Sequence, residues 1–126
     1  MKNFSFIATI LLIFSSCDNS VDKFEILEYM EFKNQIVNNV QLVDVRTSEE
    51  FNAGHIEGAI NIDFKNEELF YQSFKRLDKK NPVYVYCRSG NRSKKSADKL
   101  LELGFSKVYD LKGGYIEWNL NELKDN

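Results

Sequence analysis

Four consecutive strand-forming residues, Val83-Tyr84-Val85-Tyr86, run without polar interruption into Cys87-Arg88-Ser89-Gly90-Asn91-Arg92-Ser93 and then into a segment of helical period. A strand with no polar alternation has no face to give to water, so it belongs inside a sheet covered on both sides. The segment from Ser93 to Leu103 sets Ala97, Leu100 and Leu101 on one face, and Gly104 stands where a left-handed residue closes a helix. Four more apolar runs, Phe24 to Leu27, Val40 to Val45, Ala59 to Ile62 and Lys107 to Leu111, read as strands. Between them, Glu28 to Val37, Ser48 to Gly54, Glu67 to Leu77 and Tyr115 to Leu123 read as helices. Tyr29, Phe32, Ile36 and Val37 mark the inner face of the first, and Leu69, Phe70, Phe74 and Leu77 that of the third. Strands alternating with helices imply an α/β sandwich with a largely parallel sheet.

The 126 residues hold no repeat or Pro/Gly-rich linker after residue 22, so residues 24–123 form a single domain. A formal charge of −2 excludes the broad basic surface of a nucleic-acid-binding domain, and any anion site must be local. One His and two Cys in no zinc-site spacing imply no metal and no cofactor.

Lys2 precedes an uncharged, mostly apolar run from Phe4 to Phe14, shorter than a bilayer-spanning helix requires. It reads as a signal peptide over residues 1–16. Ser15-Ser16-Cys17 resembles a bacterial lipobox, although Phe14 stands where Leu is usual, and residues 17–23 read as a polar tether. The expectation is an exported lipoprotein, lipidated on Cys17 and anchored to a membrane facing the bacterial periplasm or the cell exterior. Cys87 is then the one free thiol, and no intramolecular disulfide is available.

Cys87 is placed where a strand delivers a side chain to a helix N-terminus. Gly90 permits a tight turn whose backbone N–H groups form an anion-holding concavity. Arg88, Arg92, Lys94 and Lys95 crowd cations around it, and this field favours thiolate over thiol. A buried, inert cysteine is the plain structural alternative.

Four segments in order carry a family resemblance: Asp44-Val45-Arg46-Thr47-Ser48-Glu49-Glu50-Phe51, Gly54-His55-Ile56-Glu57-Gly58-Ala59-Ile60-Asn61, Tyr86 to Ser93, and Gly113-Gly114 with Trp118. Together they resemble the single-domain rhodanese family over residues 24 to 120. The resemblance implies a five-stranded, mainly parallel sheet flanked by helices on both faces. It implies sulfurtransferase chemistry in which a cysteine takes a sulfane sulfur from a small anionic donor such as thiosulfate, holds it as a persulfide, and passes it to cyanide, a thiol or a protein acceptor. Cys87 would be the nucleophile. The backbone from Arg88 through Ser89, Gly90, Asn91 and Arg92 to Ser93 would bind the substrate, with the Arg88 and Arg92 side chains attracting the anion.

Asp44 and Arg46 resemble residues that pair and brace the loops, with Glu50 as a further partner for Arg46 at i,i+4 spacing. His55 is expected to bridge backbone near the third strand, Gly113 and Gly114 to permit close packing, and Trp118 to belong to the core. With no second domain to cover it, the sulfur is expected to lie rather open. Two rivals stand beside this reading. Phosphatases and arsenate reductases of related build use Cys-x5-Arg, whereas Cys87 to Arg92 is one residue shorter. A tethered persulfide carrier fed by a protein partner is the other.

Overall fold

The computed structural model describes residues 23–126. The expected signal peptide, Cys17 and the expected tether up to residue 22 lie outside the described residues. The chain runs β1 (Glu25–Leu27), α1 (Tyr29–Ile36), β2 (Gln41–Asp44), α2 (Ser48–Ala53), β3 (Ile60–Asn61), α3 (Glu67–Phe74), β4 (Val83–Tyr86), α4 (Asn91–Glu102), β5 (Val108–Leu111) and α5 (Gly114–Asp125). The strands form one sheet in the order β1-β5-β4-β2-β3, and every pairing is parallel.

β4 is central and buried along its whole length, as its uninterrupted apolar run requires. Successive side chains go to opposite faces. Val83, Val85 and Cys87 join a core with Phe70 and Phe74 of α3 and Ala97 and Leu100 of α4. Tyr84 and Tyr86 join another with Phe32 of α1, Ile56 and Leu111, against which Tyr115 and Trp118 of α5 pack. Trp118 lies edge-on to Tyr29, its ring centroid 5.3 Å away.

α4 buries Ser93, Ala97 and Leu100 at the i, i+4, i+7 spacing of one helical face. Its end is fixed by Gly104 at φ +94°, where the Gly104 and Phe105 N–H groups donate to the carbonyls of Leu101 and Leu100.

Two core assignments from the sequence are corrected. Val37 lies just past the end of α1 and is 71% exposed, while Leu69 sits in the first turn of α3, pointing away from Phe70 and Phe74, and is 46% exposed. α3 also ends at Phe74, and Leu77 is held by a short turn to the Phe74 carbonyl. No helix among the described residues is long and apolar enough to cross a membrane.

Candidate active site

The loops leaving the C-terminal ends of β2 and β4 lie side by side, tied by a hydrogen bond from Val45 N–H to the Tyr86 carbonyl. This is the edge at which open parallel sheets gather ligands. Cys87 leaves β4 here, and Gly90 at φ +113° turns the chain so that α4 starts at Asn91, two residues earlier than its apolar face suggests. The Gly90 N–H donates to Cys87 Sγ at 3.0 Å, and the buried Ser93 hydroxyl donates toward the same sulfur at 3.4 Å. Two donors and the first turn of a helix therefore face the sulfur, an arrangement that stabilises negative charge on it.

Cys87 is only 1% exposed, which corrects the expectation of an open sulfur. Arg88, Ser89 and Asn91 are exposed around it, Gly90 and Ser93 are buried, and Arg92 is half-buried.

Gly114 fixes the loop from the other side. The N–H groups of Tyr115 and Ile116 donate to the carbonyls of Cys87 and Arg88 at 2.8 and 3.1 Å. Gly114 stands at φ +61°, and a Cβ there would lie 2.5 Å from the Cys87 carbonyl oxygen. Gly114 thus permits a backbone approach that no larger residue allows.

The Asp44–Arg46 pair that the resemblance implies is present, whereas Arg46 does not meet Glu50. Its guanidinium binds the Asp44 carboxylate, with Nη2 to Oδ2 at 2.6 Å, and donates to the Gly54 carbonyl at 2.7 Å. Burial pulls the Arg46 guanidinium down, but the hydrogen bonds and charge of Asp44 outweigh it and push the guanidinium up. Arg46 also lies 4.2 Å from the centre of the Tyr115 ring, so the pair links three loops.

Glu50 serves Arg92 instead, with bonds of 2.6 and 2.9 Å to its two terminal nitrogens. That guanidinium, followed by hydrogen bonds from Thr47, holds the Glu50 carboxyl down at about 2 despite partial burial. Glu50 also closes a capping box with Thr47 at the start of α2. Arg92 is thus held in an ion pair with Glu50, a partner that the sequence reading did not give it. Among the described residues Arg88, Lys94 and Lys95 are exposed cations of this loop and helix start that form no ion pair.

His55 is also reassigned. Its ring stacks on Phe51 at 3.7 Å and its Nδ1 lies 2.8 Å from the Phe51 carbonyl, so it closes the end of α2 rather than bridging toward β3. The backbone bridge at β3 is made by Asn61, whose amide donates to the carbonyls of Asp44 and Arg46.

Tyr86 and Glu50 hold this site together in ways that the sequence reading did not assign to them. Glu50 carried a signal in its Thr-x-x-Glu spacing. Tyr86 read as strand core, yet its hydroxyl accepts from Ile56 N–H at 3.0 Å and so ties the segment after α2 to β4.

The family model for the rhodanese-like domain matches residues 28–121. The chain belongs to the rhodanese-like domain family. It is 40% identical over 81 residues to the thiosulfate sulfurtransferase GlpE of Shewanella oneidensis, covering 64% of this chain and 77% of that one. It spans about half of the senescence-associated protein DIN1 of Raphanus sativus, with 37% identity over 90 residues, 64% of this chain and 49% of that protein. Among solved structures it is similar to a rhodanese-related protein of Thermoplasma volcanium, with a TM-score of 0.68, 26% identity, and coverage of 78% of this chain and 93% of that one. The rhodanese-like fold accounts for the parallel sheet with Cys87 at the end of its central strand.

Proposed function

We propose that this rhodanese-like chain is a sulfurtransferase that works through a persulfide on Cys87, with a small anion such as thiosulfate as donor. The observation that supports it most is the sulfur held beneath the first turn of α4 with two hydrogen bonds aimed at it. In the first step the Cys87 thiolate attacks the outer sulfur of thiosulfate. The bond between its two sulfurs breaks, and sulfite leaves with the electron pair as a dianion. In the second step cyanide or a thiolate attacks the outer persulfide sulfur and the Cys87 thiolate is restored. Neither step needs a separate general base, because the loop's donors and the helix end stabilise the anionic sulfur throughout.

The deep placement of Cys87 favours a small donor over a protein that must reach the sulfur directly. The phosphatase alternative loses support because both terminal nitrogens of Arg92 are already taken by Glu50.

Arg88, next to Cys87 in the chain and exposed, is a cation available to draw in the donor. Arg88→Ala is expected to raise KM for thiosulfate by about two- to fivefold, the worth of one exposed ion pair, with kcat little changed. Steady-state thiosulfate-to-cyanide turnover checks this, and a fall in kcat at unchanged KM would contradict the assignment.

The same proposal places the domain on a membrane, exported and lipidated at Cys17, on the strength of the Ser15-Ser16-Cys17 sequence. Cys17→Ala is expected to move the protein from the membrane to the soluble fraction after cell fractionation. Retention in the membrane fraction would sink the lipid anchor without touching the chemistry.

A further inference from the structure

Lys94 stands on α4 four residues after Gly90, and its N–H donates to the Gly90 carbonyl at 3.3 Å. Side chains on a helix lean toward its N-terminus, so Lys94 covers the turn in which Gly90 stands. Gly90 has no side chain to hold it off, and the Lys94 ammonium lies 3.8 Å from where a Cβ on Gly90 would be. Neither Arg88 nor Lys95 comes within 4 Å of that position. The Gly90 N–H in turn donates to Cys87 Sγ at 3.0 Å, so the ammonium rests against the residue that holds the sulfur.

Nothing described in the chain neutralises this charge by contact. Lys94 is exposed and forms no ion pair among the described residues. Asp110 of β5, in register with Val85 and wholly buried, has no partner on either carboxylate oxygen, so it does not pair with Lys94. The first turn of α4 carries no acidic side chain, and the positive end of a helix disfavours a cation. A free ammonium folded back over this turn is matched by an anion from outside the chain. We propose that Lys94 selects for negative charge at Cys87 by holding the anionic end of the molecule that the sulfur attacks. The inference rests on the sulfurtransferase reading, under which that end is the sulfonate of thiosulfate. The Cys87 sulfur bonds to the outer sulfur, the bond between the two donor sulfurs breaks, and sulfite leaves with the electron pair beside the Lys94 ammonium. Selection then follows charge rather than size.

The test compares alkylation of Cys87 in the full, reduced chain by iodoacetate and by iodoacetamide, which differ in charge but hardly in size. Peptide mapping counts Cys17 apart. The thiolate displaces iodide from both reagents, so a change in thiolate population moves the two rates together and leaves their ratio alone. In Lys94→Met the iodoacetate rate relative to the iodoacetamide rate is expected to fall about two- to fivefold, the worth of one exposed ion pair. Lys94→Arg is expected to keep the wild-type ratio. Lys95→Met removes the same charge one residue along, and its ratio is expected to stay near that of wild type in about 0.15 M salt, which screens a charge that does not touch the anion. Equal falls in the two methionine variants would assign the effect to the overall field of the loop and would overturn the proposal. An unchanged ratio in Lys94→Met, or a Cys87 that neither reagent modifies, would overturn it as well. No sulfur donor is used, so failure of thiosulfate to load Cys87 would sink the sulfurtransferase reading, while a fall confined to Lys94→Met would still uphold the anion contact.

Discussion

Asp44→Ala is expected to lower the stability of the domain by about 3–5 kcal/mol, because it leaves the Arg46 guanidinium buried without its counter-charge. Asp44 is 0% and Arg46 4% exposed, so water cannot take over the lost contacts. Asp44 accepts from the backbone N–H and from both Nε and Nη2 of Arg46. A loss of this size is a large part of the 5–15 kcal/mol that holds a typical domain together. Urea denaturation checks it, read as a lower midpoint at unchanged slope. A loss below about 1 kcal/mol would show that the pair is solvated and that the loops are braced elsewhere. The damage should also reach the site. Arg46 holds the Gly54 carbonyl and the Tyr115 ring, and Tyr115 N–H holds the Cys87 carbonyl.

Cys87→Ser is expected to reduce sulfur transfer to the uncatalysed background while leaving the fold in place. The hydroxyl is nearly the shape of the thiol and keeps the Gly90 N–H as a partner, so the loop need not rearrange. What is lost is a sulfur nucleophile able to form a sulfur–sulfur bond. Residual turnover well above background, with native stability, would mean that another group accepts the sulfur.

The parts of this protein that were readable from sequence are those governed by local period. Val83 to Tyr86 announced the central strand because burial on both faces excludes alternation, and Ala97 and Leu100 announced the helix that covers Cys87. The family resemblance, carried by the segments around Asp44, Gly54, Cys87 and Gly113, supplied the fold and the chemistry. The resemblance also supplied the Asp44–Arg46 pair, but the partner of Glu50 was not readable. The i,i+4 rule offered Glu50 to Arg46, but α2 begins at Ser48, so Arg46 is not on the helix and the rule does not reach it. Glu50 instead finds Arg92, 42 residues away, through the adjacency of two loops that only the sheet order creates. Val37 and Leu69 misled because an apolar residue at a helix end satisfies the period without facing the core. Asp110 gave no warning, since a carboxylate within an apolar strand looks the same in sequence whether it points to water or beneath α4.

The central claim is that Cys87 carries sulfane sulfur, and intact-mass spectrometry before and after incubation with thiosulfate tests it without choosing an acceptor. The expected result is a gain equal to one sulfur atom, reversed by a reducing thiol and absent in Cys87→Ser. No gain, or the same gain in Cys87→Ser, would contradict it.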